Sequence, residues 1–435
     1  MWEFFCTFAA KFVVHICTYI QCMRKNKHKL KRSRYRTMKR LIIRAIGPLK
    51  DVDVALGRFN VIIGLQSSGK SCVLRIASYC AWVEKQIQQS QSSAMFEMDS
   101  AFMDILCRYH KMTEYIHDDS YIRYETDTML FEYKHKTKKF AFSWKEKGHF
   151  EYRLPKISYI PSERNIVSLL PNWKSEVTTY DCVLDFMKEW DKARKVIGKT
   201  KEIFNLHMNY AYDKSIEDDL IQLQNGENIH LANASSGVQS LVPLVVLIDY
   251  ITRHIYMQDA ADMLNRTEAK REKMDRLIDL LYANIKKSNM ELILPDANED
   301  QIIHSSGREY RFKNEVAAQK FSSLVVNYLT YQQTDIYLEE PENNLFPSTQ
   351  CQLVDWLEAK TNQRTHPTSV FLTTHSPYVL RYMMDKSLRG KRFFFTYEAS
   401  EEVGVYRVKS LSLEEIEQII ANGVDMFYNF ESYIS

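Results

Sequence analysis

Two short apolar runs, Leu41 to Ile46 and Phe59 to Ile63, stand on either side of Gly57 and predict two strands. Both precede a glycine-bearing loop. From Ser71 to Gln89 the apolar positions Val73, Leu74, Ala77, Cys80, Ala81 and Val83 return at helical spacing, which predicts a helix packed on a sheet. Between Tyr121 and Tyr152 the period falls to two, as in Phe140-Ala141-Phe142-Ser143-Trp144, with Lys-rich turns between, and predicts an antiparallel sheet layered beside the first strands. A further buried strand, Ile157 to Ile160, ends at Pro161. Helical segments are expected through much of 181 to 221 and again over 241 to 287, where Met274, Leu277, Ile278, Leu281 and Ile285 follow an i, i+3, i+4 pattern. Strands at Ile336 to Leu338 and Ser369 to Leu372 flank a helix near Thr349 to Lys360, the alternation of a mostly parallel sheet. There is no repeat of fixed period, and no run of heptads long enough for an extended arm.

With 435 residues, the chain could hold up to about three average domains, or one large domain with insertions. Its 45% hydrophobic and 26% charged residues are those of a globular protein with a sizeable core. The eight Cys, at 6, 17, 22, 72, 80, 107, 182 and 351, show no CxxC pairing. Neither a zinc site nor a disulfide framework is suggested, and reduced thiols of the cytoplasm are expected. The net charge of +3 hides an asymmetry, because Arg24 to Arg40 carries ten of the 58 Lys and Arg and no acid, while the remainder is net acidic. That balance argues against a globally basic nucleic-acid binder. The basic run itself could still neutralise DNA phosphates, or serve as a solvated tail. Ahead of it, Phe4 to Met23 is apolar enough to suggest a membrane anchor, with the cations holding the rest inside. Lys11 interrupts the stretch, and a central Lys costs roughly 2.5 to 3.5 kcal/mol on insertion. The preferred expectation is that Met38 begins the fold and that residues 1–37 are an extension or a misassigned start.

The sharpest chemical signal is Gly64-Leu65-Gln66-Ser67-Ser68-Gly69-Lys70-Ser71, which fits GxxxxGK[ST] between a predicted strand and a predicted helix. Glycines let the backbone curl so that its N–H groups point at phosphate. Lys70 reaches the β- and γ-phosphates, and the Ser71 hydroxyl ligates Mg²⁺; the helix N-terminus adds partial positive charge. The second signal is Ile336-Tyr337-Leu338-Glu339-Glu340-Pro341-Glu342, a strand ending in acids. Taken alone it could be a solvated turn. Downstream of a phosphate loop it is read as a metal carboxylate, Glu339, followed by a general base, Glu340. Third, His375 ends the Ser369 to Thr374 strand, where a His either bonds structurally or touches the γ-phosphate; the context favours the second. Fourth, Ser235-Ser236-Gly237-Val238-Gln239-Ser240 opens an apolar helix, and by itself would be an N-cap.

In order and sequence these four motifs resemble the ABC ATPase heads of the RecF, structural-maintenance-of-chromosomes and overcoming-lysogenization-defect group. They are most similar to the stand-alone bacterial ATPases of that group often found in phage-defence operons. The resemblance spans about Met38 to Val379. It implies an α/β fold of the P-loop NTPase, ABC-ATPase type: a mostly parallel core sheet, an added antiparallel β layer and a helical insertion. It makes Gly64 to Ser71 Walker A, Glu339-Glu340 Walker B, Glu342 to Leu345 the D-loop and His375 the switch histidine. Ser235 to Gln239 becomes the signature, with Ser236, Gly237 and Gln239 addressing the γ-phosphate on a partner's P-loop. ATP with Mg²⁺ would then join two copies head to tail, and hydrolysis would separate them. Tyr159 to Arg164 resembles the subgroup's motif at the glutamine-loop position, which makes Arg164 a candidate nucleotide or partner sensor, with a surface ion pair as the alternative. The departures are Glu339 where many relatives have Asp, Leu65-Gln66 in place of an Asn-containing loop, and Asn344 and Phe346 at positions often held by His.

About 95 residues separate the signature helix from the Walker B strand, which predicts an insertion. The domains expected are an extension (1–37), an N-lobe (38–254), a helical partner-docking or substrate-sensing insertion (255–325) and a C-lobe (326–435). About 60 residues follow His375, too few for the nuclease domain of the overcoming-lysogenization-defect enzymes. The expected function is therefore a cytoplasmic ATP-hydrolysing sensor or clamp in DNA maintenance or antiphage defence. It would act as a homodimer or larger homo-oligomer on an effector, a nuclease or toxin, supplied by another chain. The rival readings are the ATP-binding subunit of a membrane transporter, which normally has a compact signature-to-Walker B spacing, and an ATP-gated scaffold with negligible turnover.

Overall fold

The computed structural model describes residues 39–145, 152–170, 180–200, 203–204, 206–257, 268–287, 302–305, 308–363, 366–386, 391–398 and 404–421. The apolar Phe4 to Met23 stretch and the basic run up to Met38 lie outside them. The described residues begin with β1 (Lys39–Ile46), β2 (Leu49–Leu56) and β3 (Phe59–Gly64), then helices α1 (Lys70–Ser90) and α2 (Ala101–His110). Strands β4 (Ile116–Glu125), β5 (Met129–Lys134), β6 (Lys139–Trp144) and β7 (Pro155–Ile160) lead to α3 (Cys182–Ile197). Next come β8 (Met208–Asp213), β9 (Asp218–Leu223), β10 (Asn228–His230), α4 (Ser236–Asp249) and α5 (Glu268–Lys287). The hairpin β11 (Ile302–Ser305) and β12 (Arg308–Arg311), then α6 (Glu315–Leu329), precede β13 (Gln333–Glu339), α7 (Pro347–Thr361) and β14 (Thr368–Thr374). The C-terminal part is α8 (Pro377–Met384), β15 (Lys391–Glu398), β16 (Tyr406–Ser410) and α9 (Leu413–Ala421).

Eleven strands form one sheet in the order β6-β5-β4-β1-β2-β16-β15-β3-β14-β13-β7. The five strands at one end, β15-β3-β14-β13-β7, are parallel. Helices cover both faces there, so every residue of β3 is buried and its sequence, FNVIIG, is apolar almost throughout. One face packs on α3, α4, α7 and α8, the other on α1 and α2. The period-two strands β1, β2, β4, β5 and β6 pair antiparallel. They are hydrogen-bonded into the same sheet, β2 running parallel to β16, instead of stacking on it as a separate layer. The segment between the two opening apolar runs, read only as a Gly57 separator, is itself a strand, with Leu49, Val52, Val54 and Leu56 alternating inward.

The helical expectation over 181 to 221 holds only as far as Ile197. Gly198, at φ +65°, turns the chain with its N–H on the Arg194 carbonyl. The alternating Tyr210 and Tyr212 then enter the small sheet β10-β9-β8. Buried Asp219 receives Arg194 at 2.7 Å and the Tyr210 hydroxyl at 2.6 Å, which satisfies a charge no helix register would have paired.

Helix α4 continues through a π turn at Tyr250–His254, and the whole Ser236–Met257 helix is long and apolar enough to cross a membrane. Most of it is buried in the protein core. The 255–325 stretch holds the hairpin β11-β12 as well as helices, and its last helix runs on to Leu329. Leu277, Ile278, Leu281, Phe312, Phe321 and Tyr328 make a core of its own, resting on Tyr152 and Leu154. The Tyr328 hydroxyl reaches Gln88 at 2.7 Å and Asn284 reaches Gln91 at 2.9 Å, both at the far end of α1.

Candidate functional site

The loop between β3 and α1 is shaped by three residues in positive-φ conformations, Gly64 at +148°, Ser67 at +62° and Gly69 at +85°. A Cβ on Gly64 would overlap Thr396 of β15, and one on Gly69 would stand 2.6 Å from the Leu49 side chain. Both positions therefore need glycine. Thr396 was not singled out in the sequence, yet its hydroxyl bonds Ser68 Oγ at 2.5 Å and the Ile63 carbonyl at 3.2 Å. The Phe393-Phe394-Phe395 run beside it is the sequence signal by which β15 could have been found. The Ser68 hydroxyl is thereby turned into the protein, while Leu65, Gln66 and Ser67 are exposed at the loop tip. Lys70 folds back into the loop, donating to the Gly64 carbonyl at 3.0 Å and the Leu65 carbonyl at 2.5 Å. Burial pushes its ammonium down to about 8, against the opposing pull of Glu340 and Glu342. Phosphate oxygens are the natural replacement for those two carbonyls.

Strand β13 delivers Glu339 and Glu340 to the same edge. Glu340 has φ +42°, a conformation that costs a non-glycine residue of order 1–3 kcal/mol. Its N–H is held by the Thr373 carbonyl at 3.0 Å. Its carboxylate meets His375 Nε2 at 3.3 Å, and this bond, then Asn343 and the Lys70 charge, keeps the carboxyl below its usual range despite partial burial. Glu342 accepts from the Thr374 hydroxyl at 2.9 Å and the His375 N–H at 2.6 Å. Among the described residues its Oε2 is buried without a hydrogen-bond partner, and burial raises its pKa. Thus Lys70, Glu340, Glu342 and His375 converge around one loop mouth.

Ser235 and Ser236 are exposed at the start of α4, where the N-cap Ser235 makes no side-chain cap bond among the described residues and the first turn carries no acid. Its free N–H groups are suited to an anion. Gly237 packs on the Glu342 to Leu345 loop, expected to be the D-loop, so closely that a Cβ would lie 2.7 Å from the Asn344 carbonyl oxygen, and Asn344 bonds Ser240 Oγ at 3.1 Å. Gln239, expected to face phosphate, is buried and donates to the Ala232 carbonyl at 2.7 Å. Arg164 departs furthest from expectation, being neither a surface ion pair nor open to nucleotide. It is 0% exposed, and its guanidinium donates to the carbonyls of Ser240, Pro161, Glu339, Glu340 and Pro341. It ties α4 to the end of β13 from behind.

The oxygen donors suit a hard dication such as Mg²⁺. Among the described residues the Ser71 hydroxyl has no partner, whereas Glu339 is already engaged by Arg75, Tyr159 and Ser162. Arg75 also went unnoticed in the sequence; it lies one helical turn beyond Ser71, a spacing that marks a shared face.

The AAA_15 family, described as an AAA ATPase domain, matches residues 38–380. No curated protein matches the chain. Among solved structures it is similar to the SMC head domain from Thermotoga maritima, at 9% identity over 86% of this chain and 99% of that one, with a TM-score of 0.37. An Smc head bound to the C-winged helix domain of ScpA gives 9% identity, coverage of 88% and 99%, and a TM-score of 0.35. The recombination mediator RecF of the RecFOR pathway gives 11%, 87% and 99%, and 0.29. With a glycine-bearing phosphate-loop motif, an acidic strand end and His375 assembled at one sheet edge, the chain belongs to the family described as AAA ATPase domain, AAA_15.

Proposed function

We propose that this ATPase is a cytoplasmic, ATP-gated clamp whose two nucleotide sites are each completed by a second copy. The carrying observation is the division of the site. Lys70, Glu340 and His375 gather at the P-loop, while Ser235 and Ser236 stand exposed on an uncapped helix that abuts the D-loop. In an isologous pair, each copy presents its helix start to the other's triphosphate.

Lys70 exchanges its two carbonyls for phosphate oxygens, and the loop N–H groups hold the rest of the chain of phosphates. Ser71 would hold Mg²⁺, with Glu339 close behind; the ion supplies charge neutralisation on the β- and γ-phosphates. Glu340, ionised at neutral pH, orients and deprotonates the attacking water, and His375 fixes its carboxylate. Glu342 pins the His375 backbone, so D-loop and switch histidine move as one piece. The partner's Ser236 and Gly237 register that the γ-phosphate is present. When it leaves, the two copies lose their shared ligand and part.

The reading extends to a DNA-maintenance or antiphage system in which the clamp controls a nuclease or toxin carried by another chain. It is supported by the 255–329 stretch, which has its own core and contacts both α1 and the lead-in to β13. Glu340→Gln is the test. Nucleotide binding should persist, turnover should fall roughly 10²- to 10⁴-fold, and mass measurement should find an ATP-dependent dimer that recruits partner proteins. A variant that stays monomeric with bound ATP would sink the clamp, and turnover equal to wild type would indicate a scaffold.

A further inference from the structure

Glu339, the carboxylate placed to serve the metal, already has a cation. It is 2% exposed. Its Oε1 takes Arg75 Nε at 3.2 Å and the Tyr159 hydroxyl, and its Oε2 takes the Ser162 N–H and hydroxyl, each at 3.4 Å. Arg75 also donates to the Tyr159 hydroxyl at 3.1 Å and to the His110 carbonyl at 3.5 Å. A buried carboxylate stripped of its counter-charge is strongly destabilised, so this pairing is the default state of the site. Ser71 and Arg75 lie four residues apart on α1 and thus present a hydroxyl with no partner among the described residues and a guanidinium to the same sheet edge. A divalent ion arriving on a triphosphate at Ser71 meets a carboxylate that Arg75 holds.

We propose that Arg75 is a positioning residue that competes with the divalent metal for Glu339, and so sets how much metal the site needs. The proposal rests on the nucleotide site argued above. Two positive charges beside one buried carboxylate repel each other, so the ion binds well only when triphosphate oxygens supply most of its shell. Metal without nucleotide is turned away. Replacing the guanidinium by a neutral amide leaves Glu339 seeking a cation, and the metal becomes the one available.

The test titrates Mn²⁺ into the full-length chain with a non-hydrolysable ATP analogue and reads free Mn²⁺ by electron paramagnetic resonance. Arg75→Gln should tighten Mn²⁺ about tenfold, within the range that groups behind a metal's ligands command. Arg75→Lys should restore weak binding, and adding Glu339→Gln to Arg75→Gln should erase the gain. Should Arg75→Gln fail to fold, Tyr159→Phe takes its place, removing one donor from Oε1 and shifting affinity the same way by less. Unchanged or weaker Mn²⁺ binding in the folded variant overturns the proposal. Analogue binding in metal-free buffer separates the two readings. If analogue binds while Mn²⁺ affinity stays fixed, only the role of Arg75 falls; if no analogue binds, the nucleotide site itself is wrong.

Discussion

Lys70 illustrates how one side chain is held ready by its surroundings. The P-loop buries it against two carbonyls, and burial lowers its pKa to about 8. A bound triphosphate favours the charged ammonium and raises that value again. Between the two values the complex holds one more proton than the free protein, so affinity for nucleotide must fall as pH rises through about 8 and stay flat below it. Fluorescence titration of a nucleotide analogue at about pH 7 and about pH 9 checks this. Weaker binding at the higher pH is expected in the wild type and little pH dependence in Lys70→Met; a wild-type affinity indifferent to pH would contradict it. Arg164 teaches the opposite lesson. Its motif was legible, but five carbonyl acceptors make it a brace, and only packing could reveal that.

Among the elements, the contact between α4 and the Glu342 to Leu345 loop joins the two halves of the proposed site. Gly237 lies against the Asn344 carbonyl, Asn344 is itself at φ +61°, and Glu340 precedes it by four residues. Gly237→Ala places a methyl group 2.7 Å from that carbonyl oxygen, which is backbone and cannot rotate away. The helix start and the D-loop must separate. Nucleotide binding by a single chain should be retained, while turnover drops by up to roughly 100-fold, the effect of a displacement near 1 Å. Steady-state kinetics beside a binding titration distinguishes this from misfolding, and turnover equal to wild type would mean the close contact is idle. The helix-to-hairpin change after Ile197 belongs to this scale too. Gly198 stops α3, and Asp219 needs Arg194 and Tyr210 as partners, a pairing across 25 residues that helical periodicity does not encode.

For the whole molecule, the proposed completion of the site by a second copy makes a prediction that no single chain can satisfy. Lys70→Ala removes the lysine proposed to bind phosphate, and Ser236→Arg blocks the exposed helix start. Each should be inactive alone. Mixed, they form a pair in which the intact P-loop of one chain faces the intact Ser236 of the other, so activity should reappear. A mixture as inactive as its components would place Ser236 outside the composite site.

The sequence by itself determined the ATPase class and most of the central sheet. GxxxxGKS needs its residues in one loop, buried parallel strands need unbroken apolar runs, and both are local properties. It also disclosed that something lies between the signature helix and Walker B. Tertiary structure alone decided which candidates face the site. Thr396 beneath the P-loop, Arg75 on Glu339, and the inward turn of Gln239 and Arg164 depend on partners up to hundreds of residues away. A buried polar group must find a partner wherever the fold supplies one, and spacing along the chain carries no record of that choice.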